Sequence, residues 1–70
     1  MNLLEQALAA YRDNYAALCV QACGITGNAQ DAEDVMQAVF LHLLECPERI
    51  TSARNLRSFL QIAVRNRALD

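Results

Sequence analysis

A chain of 70 residues holds one domain at most and sits near the lower size limit for folding around its own core. It is 54% hydrophobic and 6% aromatic, with two Gly and one Pro, so the core must come from Leu, Val, Ile and Ala in an all-helical domain. A net charge of −2 argues against a uniformly basic nucleic-acid module. That average hides a segregation: between residues 31 and 48 there are five acids and no Arg or Lys, and between 49 and 67 five Arg and no acid. All six cations are Arg, which suits bidentate contacts to phosphate, bases or carboxylates. Two charge-opposed halves imply two partner surfaces.

The opening "MNLLEQALAAY" lacks the basic start of a signal peptide and carries Glu5. No apolar run approaches the roughly 20 residues that span a bilayer, so no membrane insertion is expected. Three cysteines, an odd number without secretory features, point to a reducing cytoplasm.

The spacing predicts three helices, a small bundle made of an antiparallel hairpin and a third helix. The first runs from about Asn2 to Gly24, with an apolar stripe of Leu4, Leu8, Tyr11, Tyr15, Leu18 and Ala22. Gly27 in "GITGN" suits the left-handed turn that ends many helices. Asn28 is placed to cap a second helix over residues 29–46, with Asp31 as a shortened capping-box partner. Asp31, Glu33 and Asp34 then lie near the positive end of the helix dipole. This helix is expected to bury Ala32, Val35, Met36, Val39, Phe40 and Leu43.

Pro47 in "CPERITS" disfavours helix at Cys46, and Ser52 is placed to cap a third helix over residues 53–69. That helix puts Leu56, Phe59, Leu60 and Ala63 on one side. Arg54, Arg57, Gln61 and Arg65 fall within roughly 80° of one another on the other side. Solvated helix faces commonly mix signs to gain i,i+4 pairs; this ridge interleaves no acid. On the second helix Glu33, Asp34, Gln37, Leu41 and Glu45 lie outside the apolar stripe, and Leu41 beside Gln37 hints at a contact surface.

Chemistry-bearing patterns are scarce. Cys19/Cys23 and His42/Cys46 are both i,i+4 pairs, the spacing of zinc ligands on a helix. If the first two helices fold back near Asn28, however, Cys23 and His42 stand about 13 Å apart along the axis, too far for one site. Buried, inert thiols account better for Cys19 and Cys23, whereas Cys46 near the loop is the more reactive candidate. His42 has no acidic or nucleophilic partner at fixed spacing. No phosphate loop, nucleophile elbow or carboxylate pair is present, so neither enzyme activity, a metal nor a cofactor is expected.

Two segments together are more specific. "DAEDVMQAVFLHLLE", followed after a short loop by "NLRSFLQIAVRNRALD", resembles domain 2 (region 2) of bacterial RNA polymerase sigma factors of the extracytoplasmic-function group. The family pattern reads approximately Asp-Ala-Glu-Asp-Leu-Val-Gln-Glu-Val-Phe, then Leu-Arg-Ala-Trp/Phe-Leu, then Ile-Ala-Arg-Asn-x-Ala-x-Asp. "AYRDNYAAL" and the "TGN" turn fit its first helix, so the resemblance covers nearly the whole chain. It implies a transcription-initiation module. The helix at residues 31–45 would dock on the β′ clamp helices of core polymerase through Glu33, Asp34, Gln37 and Leu41. An acidic face complements those Arg-rich helices.

By the same resemblance, Glu48 to Asn55 form a base-capturing loop at the promoter −10 element. Arg54, Asn55, Arg57, Gln61, Arg65 and Asn66 then track the single non-template strand. An anti-sigma protein is a further partner that the family implies.

The departures from the pattern are Ala38 for a usual Glu, Phe59 for Trp, and Asp13 and Asn14 where basic residues are common. Arg67 stands for a Leu on the core-facing side, which implies either a snorkelling stem or a loosely packed C-terminal turn. The family's chains continue into a second domain that reads the −35 element, and this one is expected to be a piece of such a chain. The alternatives are a short negative effector that occupies the clamp without reading promoters, or a helical interaction module held by an anti-sigma partner.

Overall fold

The structure is a computed structural model that describes residues 1–50 and 55–70. The expected cap Ser52, the expected helix start at Ala53 and the ridge residue Arg54 lie outside the described residues. All regular structure described is helical: α1 (Leu3–Asp13), α2 (Tyr15–Thr26), α3 (Ala29–Glu45), a 3-10 turn (Pro47–Arg49) and α4 (Leu56–Leu69). The all-α class is as expected, but four helices take the place of three.

The extra helix arises at Asn14, inside the expected first helix. The Asn14 side-chain amide donates to the carbonyl of Ala10 at 2.8 Å, the same acceptor that its own backbone N–H reaches at 3.0 Å. A side chain that competes for the i−4 carbonyl disturbs the ladder and bends the helix. Asn14 accordingly sits at φ −109°, ψ 11°, serving as the C-cap of α1 and the N-cap of α2. Upstream, Asn2 and Glu5 form a complete capping box: Glu5 N–H donates to Asn2 Oδ1 at 2.8 Å, and Asn2 N–H to Glu5 Oε1 at 3.2 Å.

α2 also runs past Gly24, its expected end, to Thr26. Its stop is Gly27, the only residue with positive φ among those described (φ 88°), whose N–H donates to the Cys23 carbonyl at 2.8 Å. A Cβ would strain that conformation, so the terminus falls at the second glycine and not the first. Asn28 then caps α3 as expected, accepting from Asp31 N–H at 2.8 Å. The reciprocal bond differs from a capping box, because Asn28 Nδ2 donates to the Asp31 carboxylate at 2.9 Å. The turn is thus closed twice within four residues, and it reverses the chain so that α3 packs back on α2.

α2 packs against both α3 and α4, and α1 lies across the same pair. The core consists of Ala7, Leu18 and Ala22 from α1 and α2, Ala32, Val35, Met36, Val39 and Leu43 from α3, Ile50, and Leu56, Leu60 and Val64 from α4. Ile50 is the residue after the 3-10 turn; its N–H donates to the Pro47 carbonyl at 3.1 Å while its side chain plugs the bundle. Among the described residues the core holds no polar or charged side chain.

Several expected core positions differ. Phe40 is 38% exposed and Tyr15 41%. Both stand at the edge of the apolar stripe, where the Tyr11 ring packs against each instead. Phe59, Ala63, Cys19 and Cys23 are only half-buried, though all four pack against the core. Arg67 does not turn inward: it lies in the last turn of α4, exposed, with Asp70 as an ion-pair partner at 3.8 Å. Ala7, Ile50 and Val64 fill the interior in their place.

A core of this size is sensitive to single deletions. Leu60 is fully buried, so Leu60→Ala is expected to cost about 3 kcal/mol. Asn28→Ala, which removes the α3 cap, should cost about 1 kcal/mol. Urea unfolding followed by helical circular dichroism checks both, and equal losses would contradict the described packing.

Candidate interaction surfaces

The two sides foreseen from the charge pattern are both solvent-facing where they are described. On α3, Glu33, Asp34, Gln37 and Leu41 are all exposed, as is Glu45. The reason is geometric: the five buried residues of α3 occupy one arc of the helix, and these four side chains project within about 100° of one another on the far arc. Asp34 and Gln37 make no side-chain hydrogen bond or ion pair among the described residues.

On α4, Arg57, Gln61 and Arg65 are exposed one turn apart, on the flank facing α2. Gln21 of α2 reaches across to donate to the Gln61 backbone carbonyl at 2.8 Å, a contact between helices that no periodicity signals. Ion pairs among the described residues are limited to Arg12–Asp13 at 3.4 Å and Arg67–Asp70 at 3.8 Å, so neither Arg57 nor Arg65 is neutralised by any of them. Asn55 is exposed at the start of α4. Asn66 is brought elsewhere. It lies about 100° around the helix from Arg65 and lines a groove of about 720 Å³ with Ala38, His42, Arg49, Phe59 and Arg67. That groove separates the α3 face from the Arg57–Arg65 ridge, and His42 is exposed at its wall.

Tyr11 joins α1 to the α3 face. Tyr11 Oη donates to the Met36 backbone carbonyl at 2.8 Å. Its ring meets Phe40 at 5.5 Å and Tyr15 at 5.6 Å between centroids. Burial, chiefly, raises the Tyr11 pKa above its ordinary 10.0, and charge on Tyr15 and Cys19 adds to the rise. The available sequence signal was two tyrosines four apart on one helix face, which reads equally well as core.

The described residues thus present an acid-and-glutamine helix face on α3 and, on α4, a ridge of Arg57, Gln61 and Arg65. The family model for sigma-70 region 2 matches residues 10–70, and the chain belongs to that family. Region 2 is a non-enzymatic part of transcription initiation whose partners are core RNA polymerase and promoter DNA, including the −10 element. No curated protein and no solved structure matched the chain. Among the described residues no helix is long and apolar enough to cross a membrane.

Because the neutral phenol is favoured in the folded state, the stability it contributes is complete below pH 10.0 and is lost as pH rises through the elevated value. Unfolding free energy measured across that window should fall more steeply for the wild type than for Tyr11→Phe. At neutral pH Tyr11→Phe should cost about 1 kcal/mol for the lost hydrogen bond.

Proposed function

We propose that this region 2 domain is of the extracytoplasmic-function type and docks on the β′ clamp helices of core polymerase through Glu33, Asp34, Gln37 and Leu41. The observation that carries this reading is the joint exposure of Asp34 and Gln37 on one arc of α3, with no side-chain hydrogen bond or ion pair among the described residues. A carboxylate and an amide left unpaired at a helix surface are free to meet basic and polar groups of another helix. Their charge raises the association rate more than it raises the affinity.

The second contact is with the non-template strand of the −10 element. Arg57, Gln61 and Arg65 follow the strand backbone along α4, and Asn55 stands where the helix meets the segment leading into it. Arg54, expected from the sequence to join this contact, lies outside the described residues. Asn66 belongs to the groove side and would reach only a base or phosphate that passes around the helix. The unneutralised guanidinium groups and their one-turn spacing support this assignment, since a single strand is held by cationic tracks with polar side chains between them. An anti-sigma protein that covers the α3 face would block docking by occupying the same side chains.

Asp34→Ala combined with Gln37→Ala is expected to weaken capture of the isolated clamp helices while the helical dichroism stays unchanged; equal capture by the variant would refute the docking reading. Binding to a single-stranded −10-like oligonucleotide should weaken with salt. Arg57→Ala and Arg65→Ala should each reduce the slope of log K against log salt by roughly 0.7. A slope unmoved by both changes would remove the DNA assignment.

A further inference from the structure

The α3 face is not only polar. Phe40, Leu41 and Leu44 are 38%, 54% and 44% exposed, three large apolar side chains beside Gln37. With Tyr11, Gln37 and the first two of them line a hollow of about 300 Å³. Its back wall is fixed from behind, since the Tyr11 hydroxyl is tied to the Met36 carbonyl and its ring meets Tyr15 edge-on and Phe40 at a tilt. A contiguous apolar patch on a domain this small marks a contact surface.

Spacing and charge say what covers it. Gln37, Phe40, Leu41 and Leu44 stand at i, i+3, i+4 and i+7, the four positions that frame the hole of a knobs-into-holes helix contact. The charged residues beside this frame are acids, Glu33 and Asp34 at one end and Glu45 at the other, all exposed, and there is no Arg or Lys between residues 31 and 48. An apolar hole with an acidic rim fits a helix that carries basic residues on either side of an aliphatic one.

We propose that this frame, backed by Tyr11, is a socket for a single aliphatic side chain of a basic partner helix. The inference rests on the docking reading above and refines it: apolar burial in the socket sets the lifetime of the complex, while Glu33 and Asp34 steer its formation. Phe40 and Leu41 are then the residues on which affinity depends most, and Tyr11 positions Phe40.

The test is binding of this chain to the isolated β′ clamp-helix hairpin, measured over a range of salt concentrations. Phe40→Ala and Leu41→Ala should each weaken binding about tenfold, through faster dissociation and with the salt slope unchanged. Asp34→Asn should slow association and flatten the salt slope. Leu41 lies more than half exposed, so Leu41→Ala decides the matter alone if Phe40→Ala unfolds. Apolar variants that bind within about twofold of wild type while Asp34→Asn weakens binding would overturn the socket and leave the docking reading standing. A loss in the apolar variants that comes with a changed salt slope would also overturn it. If no variant of either kind weakens binding, socket and docking reading fall together.

Discussion

Everything in this fold depends on a core that contains aliphatic side chains and little else. Leu18, Met36, Leu43, Leu60 and Val64, each at most 2% exposed, hold the helices together by burial, and no buried polar side chain among the described residues assists them. A carboxylate or guanidinium placed there would carry a desolvation cost that a domain of 70 residues has no surplus to offset. Charge is therefore driven to the outside. Among the described residues only two ion pairs form, so most of that charge is left unpaired there.

The helices convert that constraint into directions. α3 uses one arc for the core and is left with a far arc of Glu33, Asp34, Gln37, Leu41 and Glu45; α4 does the same with Arg57, Gln61 and Arg65. Because α2 packs against both, the two far arcs are held by one rigid element, and the groove lined by His42, Asn66 and Arg67 lies between them. Among the described residues that separation leaves the acids of α3 without an ion pair to Arg57 or Arg65.

Polar bonds set geometry more than stability here. The Gln21 amide on the Gln61 carbonyl and the Tyr11 hydroxyl on the Met36 carbonyl are each worth about 1 kcal/mol. Each fixes where a helix lies relative to its neighbour. The first braces the arginine ridge against α2. The second sets α1 behind the acidic face, so that Phe40 is turned outward against a tyrosine instead of into the core.

Local chemistry was legible in the sequence wherever it acts over a few residues. The Asn28 cap, the left-handed Gly27, the stripe Ala32–Val35–Met36–Val39–Leu43 and the segregation of acid from arginine are short-range patterns, and the helix period alone projects Asp34 and Gln37 away from the core. The break at Asn14 was not legible, since whether an asparagine side chain takes its own i−4 carbonyl depends on how the bundle bends around it. Nor was the fate of the borderline residues. Phe40, Tyr15 and Arg67 stand at the edges of their stripes or in a last turn, and only the neighbouring helices decide which edge is covered. Tyr11 meeting Met36 and Gln21 meeting Gln61 span 25 and 40 residues of chain. Contacts of that range follow from how three-dimensional packing brings distant turns together, and no periodicity in a single helix encodes them.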